Sequence, residues 1–437
     1  MRIDKQLKIL FVCLDGWGHL NSLIGIAEGL LRRGHRCIFA LEAAWKGQAK
    51  RYDMKFEEVI YTDPNRLEGL GTNEYWIEFM DDFKQVFGLD PLEALKKNET
   101  KRHEQFIHIL LDVDDEFKSI IADCKPDIIL MDSYTTIPAV VKAGIPWVWV
   151  TSAQVLSCLP SDDLPPAGTG FSLNGDRREW DEYNKLFMEI NEPILKRYYK
   201  RLKDEFELDP PTNGLCHWSP YLNIYSYPKA LDYLEIRPLP DKWKRFDHFV
   251  RTENGIDFRI PDEILHKPLG KLIYVSMGSL GCADTYLMKR LIQFASKSPN
   301  RFIFSLGLRA EELQKEQFPP NVWGRKFLPQ IQLMPQIDLV VSHGGNNTTI
   351  ESLYFGKPIL ITPLFGDQFN NAQRVKEVGV GDRFNAFRCT EKEFCEKIDK
   401  LLNDQSIHKR LQTIRNEMRT SNSIENVAKS IEEILIQ

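Results

Sequence analysis

The stretch from Gly324 to Ala372 leaves the chain few ways to fold. Ile337 to Val341 is an apolar run of strand length, and Ser342-His343-Gly344-Gly345 is a polar turn with two glycines. Apolar residues then recur at Ile350, Leu353 and Tyr354 with helical spacing, until Gly356 and Pro358 stop the helix. Thr348 stands three residues before Glu351, the spacing of a capping box. A second apolar run, Pro358 to Thr362, ends in the polar loop Phe365-Gly366-Asp367-Gln368. Strand, glycine turn, helix and strand make a βαβ unit, whose two strands are parallel and buried on both faces. Its turn has a physical use: unpaired N–H groups and the positive end of the helix dipole converge where glycines let a ligand approach. The pattern predicts an anion site at the carboxyl edge of a sheet, and a diphosphate fits it.

The same alternation recurs along the chain. Leu7 to Leu14 reads as a buried strand, Asp15-Gly16-Trp17-Gly18-His19 as a turn, and Leu20, Leu23, Ile24, Ala27, Leu30 and Leu31 as a helical face closed by Gly34. His35 to Leu41, Pro126 to Asp132, Pro146 to Thr151 and Leu222 to Tyr227 read as further strands, the last closing a first sheet. Trp180 to Phe206 reads as a helical pair or one long helix. From Lys271 the plan restarts with strand Leu272 to Ser276, turn Met277-Gly278-Ser279, helix Asp284 to Lys297 and strand Phe302 to Leu306. The fold class is therefore α/β, with two doubly wound, Rossmann-like sheets facing each other. The expected division is an N-terminal domain over 1–235, a Pro- and charge-rich linker over 236–268, a C-terminal domain over 269–420 and a terminal helix over 421–437.

Two local patterns carry less. Trp76, Phe79, Met80, Phe83 and Phe87 share one helical stripe, the pattern of core packing or of a ligand wall. Asp112-Val113-Asp114 spells a D-x-D metal signature, but it falls in an amphipathic helix expected over Glu104 to Cys124, where a solvated face explains it, and no metal is assigned. The spacing at Gly16 and Gly18 is not G-x-G-x-x-G, and Glu42 lies just beyond the second strand, so a dinucleotide site stays open as an alternative.

The 324–372 segment resembles the donor-binding signature of UDP-glycosyltransferases, with the motif spacing of the bacterial macrolide-type members. The matching residues are Phe327-Leu328-Pro329-Gln330, then His343, Gly345, Asn347 and Thr348, then Glu351, then Asp367-Gln368. The resemblance implies a GT-B fold whose last helix crosses back to the first domain. It also implies an inverting transferase that takes a UDP-sugar, UDP-glucose first, as co-substrate without a further cofactor. Phe327 would take the place of the aromatic, usually Trp, that stacks on uracil, and Gln330 would lie near base and ribose. His343, Asn347 and Thr348 would contact the diphosphate, and Gly278 with Ser279 would form the other diphosphate-facing turn. Glu351 would meet the ribose hydroxyls and Asp367 with Gln368 the sugar, and Gly18, Gly345 and Asn346 would also belong to donor binding. The small lipophilic acceptor, an aromatic alcohol in the first instance, would meet Trp76, Phe79, Phe83 and Tyr134. UDP-glucuronate donors, glycolipid or saccharide acceptors, and a catalytically silent nucleotide-sugar-binding subunit are the alternatives.

Transfer to an alcohol needs a base for its proton. His19 follows the first strand, and imidazole is mostly unprotonated at pH 7. Asp132 ends a later strand and would orient the other ring nitrogen, as the family's His-Asp pair does. In place of the family's usual His-x-x-Pro the chain has His19-Leu20-Asn21-Ser22.

A net charge of −5 with both signs spread along 437 residues makes neither nucleic acid nor an anionic membrane an obvious partner. The eight cysteines show no C-x-x-C, the usual pattern of reduced thiols. Only about six apolar residues precede Asp15, fewer than a signal peptide's core needs. A glycan on Asn347-Thr348-Thr349 would block the anion site, so the cytoplasm is the expected compartment; a monomer is the expected state.

Overall fold

A computed structural model describes residues 5–48, 55–62, 77–78, 80–81, 83–97, 100–212, 214–253, 257–267 and 270–436. Seven parallel strands form the first sheet: β1 (Lys8–Cys13), β2 (Arg36–Glu42), β3 (Glu57–Tyr61), β4 (Ile128–Asp132), β5 (Trp147–Thr151), β6 (Leu222–Ser226) and β7 (Trp243–Phe246). They lie in the order β3-β2-β1-β4-β5-β6-β7. The second sheet has six: β8 (Leu272–Ser276), β9 (Arg301–Ser305), β10 (Val322–Arg325), β11 (Leu339–Ser342), β12 (Ile359–Ile361) and β13 (Gly381–Arg383). Their order is β10-β9-β8-β11-β12-β13, again all parallel. Every residue of β4, β5, β6 and β8 is buried, as strands covered by helices on both faces must be.

In each sheet the strand order reverses once, beside β1 in the first and beside β8 in the second. Crevices open at such switch points, outside the carboxyl ends of the strands. The turns after β1 and β4 and those after β8 and β11 occupy these places, and they carry the residues singled out above.

The helix Trp17–Arg32 covers one face of the first sheet and packs against the terminal helix Ser423–Glu433, whose Val427, Ala428 and Ile431 join the same core. A buried ion cluster fixes that contact. Glu432 accepts from Arg33 Nη2 at 2.6 Å and from His35 Nε2 at 2.7 Å. Leu7 N–H donates to His35 Nδ1, which places the imidazole proton on Nε2.

Four sequence expectations change. The stretch 236–268 is not a plain linker: it supplies β7, paired with β6, so Leu222 to Tyr227 does not close the sheet. Only Trp243 and Phe246 of that strand are buried, a pattern too short to show a period. Residues 104–124 form two helices, Thr100–Asp112 and Asp114–Cys124, rather than one. Asp114 is not on a solvated face; it is buried and accepts from Ala139 N–H at 2.6 Å. The helix after β11 runs Asn346–Tyr354 with Gly345 as its N-cap, so Thr348 lies inside it and makes no capping box with Glu351. Between the two earlier options, Arg177–Phe206 is one helix that carries Pro193 within it.

Candidate active site

The first pair of turns brings a base and a carboxylate together. His19 sits in the first turn of the helix after β1, and Asp132 ends β4 beside Cys13. His19 Nδ1 lies 3.0 Å from Asp132 Oδ1, with Asp132 buried and the imidazole 12% exposed. Burial alone would lower the imidazole pKa, but the charge and hydrogen bond of Asp132, with Asp367 and Asp15 behind them, more than offset it and raise it above the ordinary value. Tyr134 meets the ring edge-on, 5.2 Å between centroids. Because Nδ1 faces a carboxylate, the proton rests there and Nε2 carries the lone pair.

The second pair of turns makes a cradle of backbone. Gly278 has φ +70° and Gly344 φ +87°, conformations that side chains rarely adopt. A Cβ on Gly278 would lie 2.6 Å from the His343 ring. The imidazole thus fills the space that a missing side chain leaves. Burial pushes its pKa down to about 4, so His343 is neutral at pH 7 and acts as a dipole rather than as a charge. Gly278 and Ser279 open a short turn of helix after β8, opposite the N-terminus of Asn346–Tyr354.

The remaining donor candidates converge on the same place, several of them engaged with other protein groups. Glu351 accepts from Arg251 Nη1 at 2.8 Å and from Gln330 Nε2 at 2.5 Å. Burial raises its carboxyl pKa while Arg251 and Gln330 act against that rise. Gln330 also reaches Thr348 Oγ1 at 3.3 Å and accepts from Tyr274 OH at 3.1 Å. Asn347 Nδ2 donates to Gly18 O at 2.8 Å, and its Oδ1 accepts from Ser22 OH at 2.9 Å. Asn346 Nδ2 donates to Ser152 O at 2.9 Å. Gln368 Oε1 receives Leu364 N–H and Phe365 N–H of its own loop. Asp367 accepts from Gln154 N–H at 2.9 Å; burial raises its pKa, with Gln154 and His19 pulling it down. Phe327, in the loop after β10, is 39% exposed, as a stacking surface would be. A small, partly open cleft lies between the halves, with Ser22, Arg251, Asn347 and Glu351 in its wall.

Of the acceptor candidates, Phe83 packs edge-on against Phe365, 5.4 Å between centroids, one residue short of the donor loop's Gly366. Tyr134 stands at His19. Trp76 and Phe79 lie outside the described residues. The sequence reading passed over Ser152, Gln154, Arg251 and Glu253. Arg251 and Glu253 fall in the stretch expected to be a linker; both are buried and paired at 2.6 Å. Among the described residues no group of three His, Cys, Asp or Glu could hold a metal ion, and no helix is long and apolar enough to cross a membrane.

Comparisons with known proteins agree with this fold. Residues 300–434 match the family model of the erythromycin biosynthesis protein CIII-like C-terminal domain. The chain is 26% identical over 433 residues to the Bacillus subtilis protein YojK, named as a UDP-glucosyltransferase, covering 98% of each chain. It is 23% identical to a sterol 3-beta-glucosyltransferase of Candida albicans, of whose length it spans 28%. Among solved structures, the glycotransferase of kitacinnamycin superposes with a TM-score of 0.68 at 18% identity, over 99% of this chain and 100% of that one. The glycosyltransferase VinC, solved in complex with dTDP, superposes with a TM-score of 0.64 at 17% identity, over 98% of this chain and 100% of that one. Twin parallel sheets, sequence similarity along the whole chain and the matched C-terminal region together give it the GT-B fold and make it a glycosyltransferase similar to the macrolide and UDP-glycosyltransferase types.

Proposed function

We propose that the chain transfers a hexose, glucose first, from a UDP-sugar to a hydroxyl of a small lipophilic acceptor, with inversion at the anomeric carbon. The observation that carries this reading is the 3.0 Å contact of His19 with a buried Asp132, on the side of the cleft opposite the glycine turns. Nε2 of His19 takes the acceptor's proton as the oxygen attacks, and Asp132 stabilises the imidazolium that forms. Backbone N–H groups at Gly278, Ser279 and the start of Asn346–Tyr354, with the dipole of that helix, stabilise the departing diphosphate. Attack from the face opposite the leaving group accounts for inversion.

Glucose as donor is supported by the names of YojK and the sterol transferase. A lipophilic acceptor is supported by the rings of Tyr134 and Phe83 near the base and donor loop. His19→Ala should lower turnover by about two to four orders of magnitude while UDP still binds, since general-base catalysis is worth roughly that much. The assay is product mass from UDP-glucose, UDP-glucuronate and UDP-galactose against a panel of phenols and alcohols. Near-normal transfer by His19→Ala would remove His19 as base.

A further inference from the structure

Ser152, just past the end of β5, contacts both halves of the site with three of its groups. Its Oγ lies 3.0 Å from His19 Nδ1, and its N–H donates to Asp132 Oδ1 at 3.4 Å. Its carbonyl accepts from Asn346 Nδ2 at 2.9 Å. Asn346 is the first residue of the helix whose N-terminus faces the donor, it is buried, and its amide also reaches Ser226 O at 3.4 Å. Asn346 is expected among the donor-binding residues, but its amide nitrogen is engaged by two backbone carbonyls of the first domain.

We infer that Ser152 is a positioning residue for glycosyl transfer, which holds the His19 ring in its basic orientation and, through its carbonyl and Asn346, ties that orientation to the seating of the donor helix. The inference rests on the reading of His19 as the base. Asp132 and Ser152 both offer oxygen to Nδ1, so the ring proton has two acceptors there and the imidazole cannot turn about a single bond without losing one. Tyr134 meets the same ring edge-on. A donor helix that shifts away draws Asn346 off the Ser152 carbonyl, and the strand end that sets the hydroxyl loses an anchor. The base is then aligned when the anion site is in place and loosened when it is not.

Four variants test this with UDP-glucose and a phenolic acceptor: Ser152→Ala, Asn346→Ala, His19→Ala and the Ser152→Ala/His19→Ala double variant. Ser152→Ala should lower kcat about tenfold with KM within about twofold, because the lost hydrogen bond acts on base geometry rather than on binding. In the His19→Ala background the same change should have no further effect, since the residue acts through the imidazole. Asn346→Ala should lower kcat about fivefold while UDP titration stays within about threefold, the backbone donors being untouched. Wild-type kcat in Ser152→Ala, or a loss that persists without His19, overturns the inference. Should Ser152→Ala fail to fold, wild-type kcat in Asn346→Ala overturns it. If His19→Ala is severely impaired and Ser152→Ala is silent, this inference alone fails. If His19→Ala itself transfers normally, the base reading fails with it.

Discussion

Arg251 links the stability of the fold to the proposed donor site. Its guanidinium donates to Glu351 at 2.8 Å and to Glu253 at 2.6 Å, with the Arg251 and Glu351 side chains 5% and 4% exposed. Arg251→Met keeps the volume and removes the charge, so two buried carboxylates lose a shared partner. Breaking a buried pair in this way costs about 3–5 kcal/mol, most of it the burden of an uncompensated charge. The pH dependence follows from the sign of the Glu351 shift. Burial already holds its carboxyl above the ordinary value, against the pull of Arg251 and Gln330, and loss of Arg251 lifts it further. A carboxyl with a raised folded pKa contributes stability that is complete below its unfolded pKa, about 4.3, and is lost as pH rises through the folded one. The deficit of Arg251→Met should therefore be largest near pH 8 and shrink as pH falls towards 5. Adding Glu351→Gln should restore part of the loss, because the neutral amide needs no counter-charge. Urea unfolding of the three proteins at pH 8 and pH 5 reads this out. A deficit under about 1 kcal/mol, or one of equal size at both pH values, would refute the view of Arg251 as the compensating charge.

The raised pKa of His19 places the acid limb of kcat/KM above the ordinary imidazole value of about 6.5, since only the neutral ring accepts a proton. Asp132→Asn should move that limb to lower pH while kcat falls; a limb that stays put would separate Asp132 from the base. Gly278→Ala forces a side chain into positive φ and against the His343 ring, and UDP titration should show affinity falling about tenfold or more, a loss of ~1.4 kcal/mol. Unchanged affinity would exclude that turn from nucleotide binding. Glu432→Gln should loosen the terminal helix and lower the urea midpoint at pH 7. The Glu432 pKa is lowered: burial opposes the shift, and Arg33 with His35 outweighs it. Its contribution is therefore present above the ordinary carboxylate range and lost as pH falls through the lowered value, so wild type and variant should converge in acid.

The central strands were readable because they are long apolar runs: β1, β4, β5, β8 and β11 all lie where the expected stretches fall. The strands passed over, β3, β7, β10 and β13, stand at or near sheet edges, where four residues such as Trp243 to Phe246 bury only half their side chains. In the site the division is similar. Glycine turns and the residues beside them declare themselves locally, since strand, turn and helix N-terminus are neighbours in sequence. Hydrogen-bond partners do not. Thr348 and Glu351 have the spacing of a capping box, yet Glu351 takes a guanidinium 100 residues away, because a buried carboxylate is better compensated by a charge than by one N–H. Asp114 repeats the lesson: read as part of a solvated face, it is buried instead, between Lys118 and the amide of Ala139. Carboxylates are thus the side chains most often misread here, since a local pattern shows where an acceptor stands while the assembled fold decides which donor reaches it. Ser152 is the extreme case, for nothing within ten residues of it in sequence hints at His19 or Asn346, and its place in the site comes wholly from two sheets meeting at their switch points.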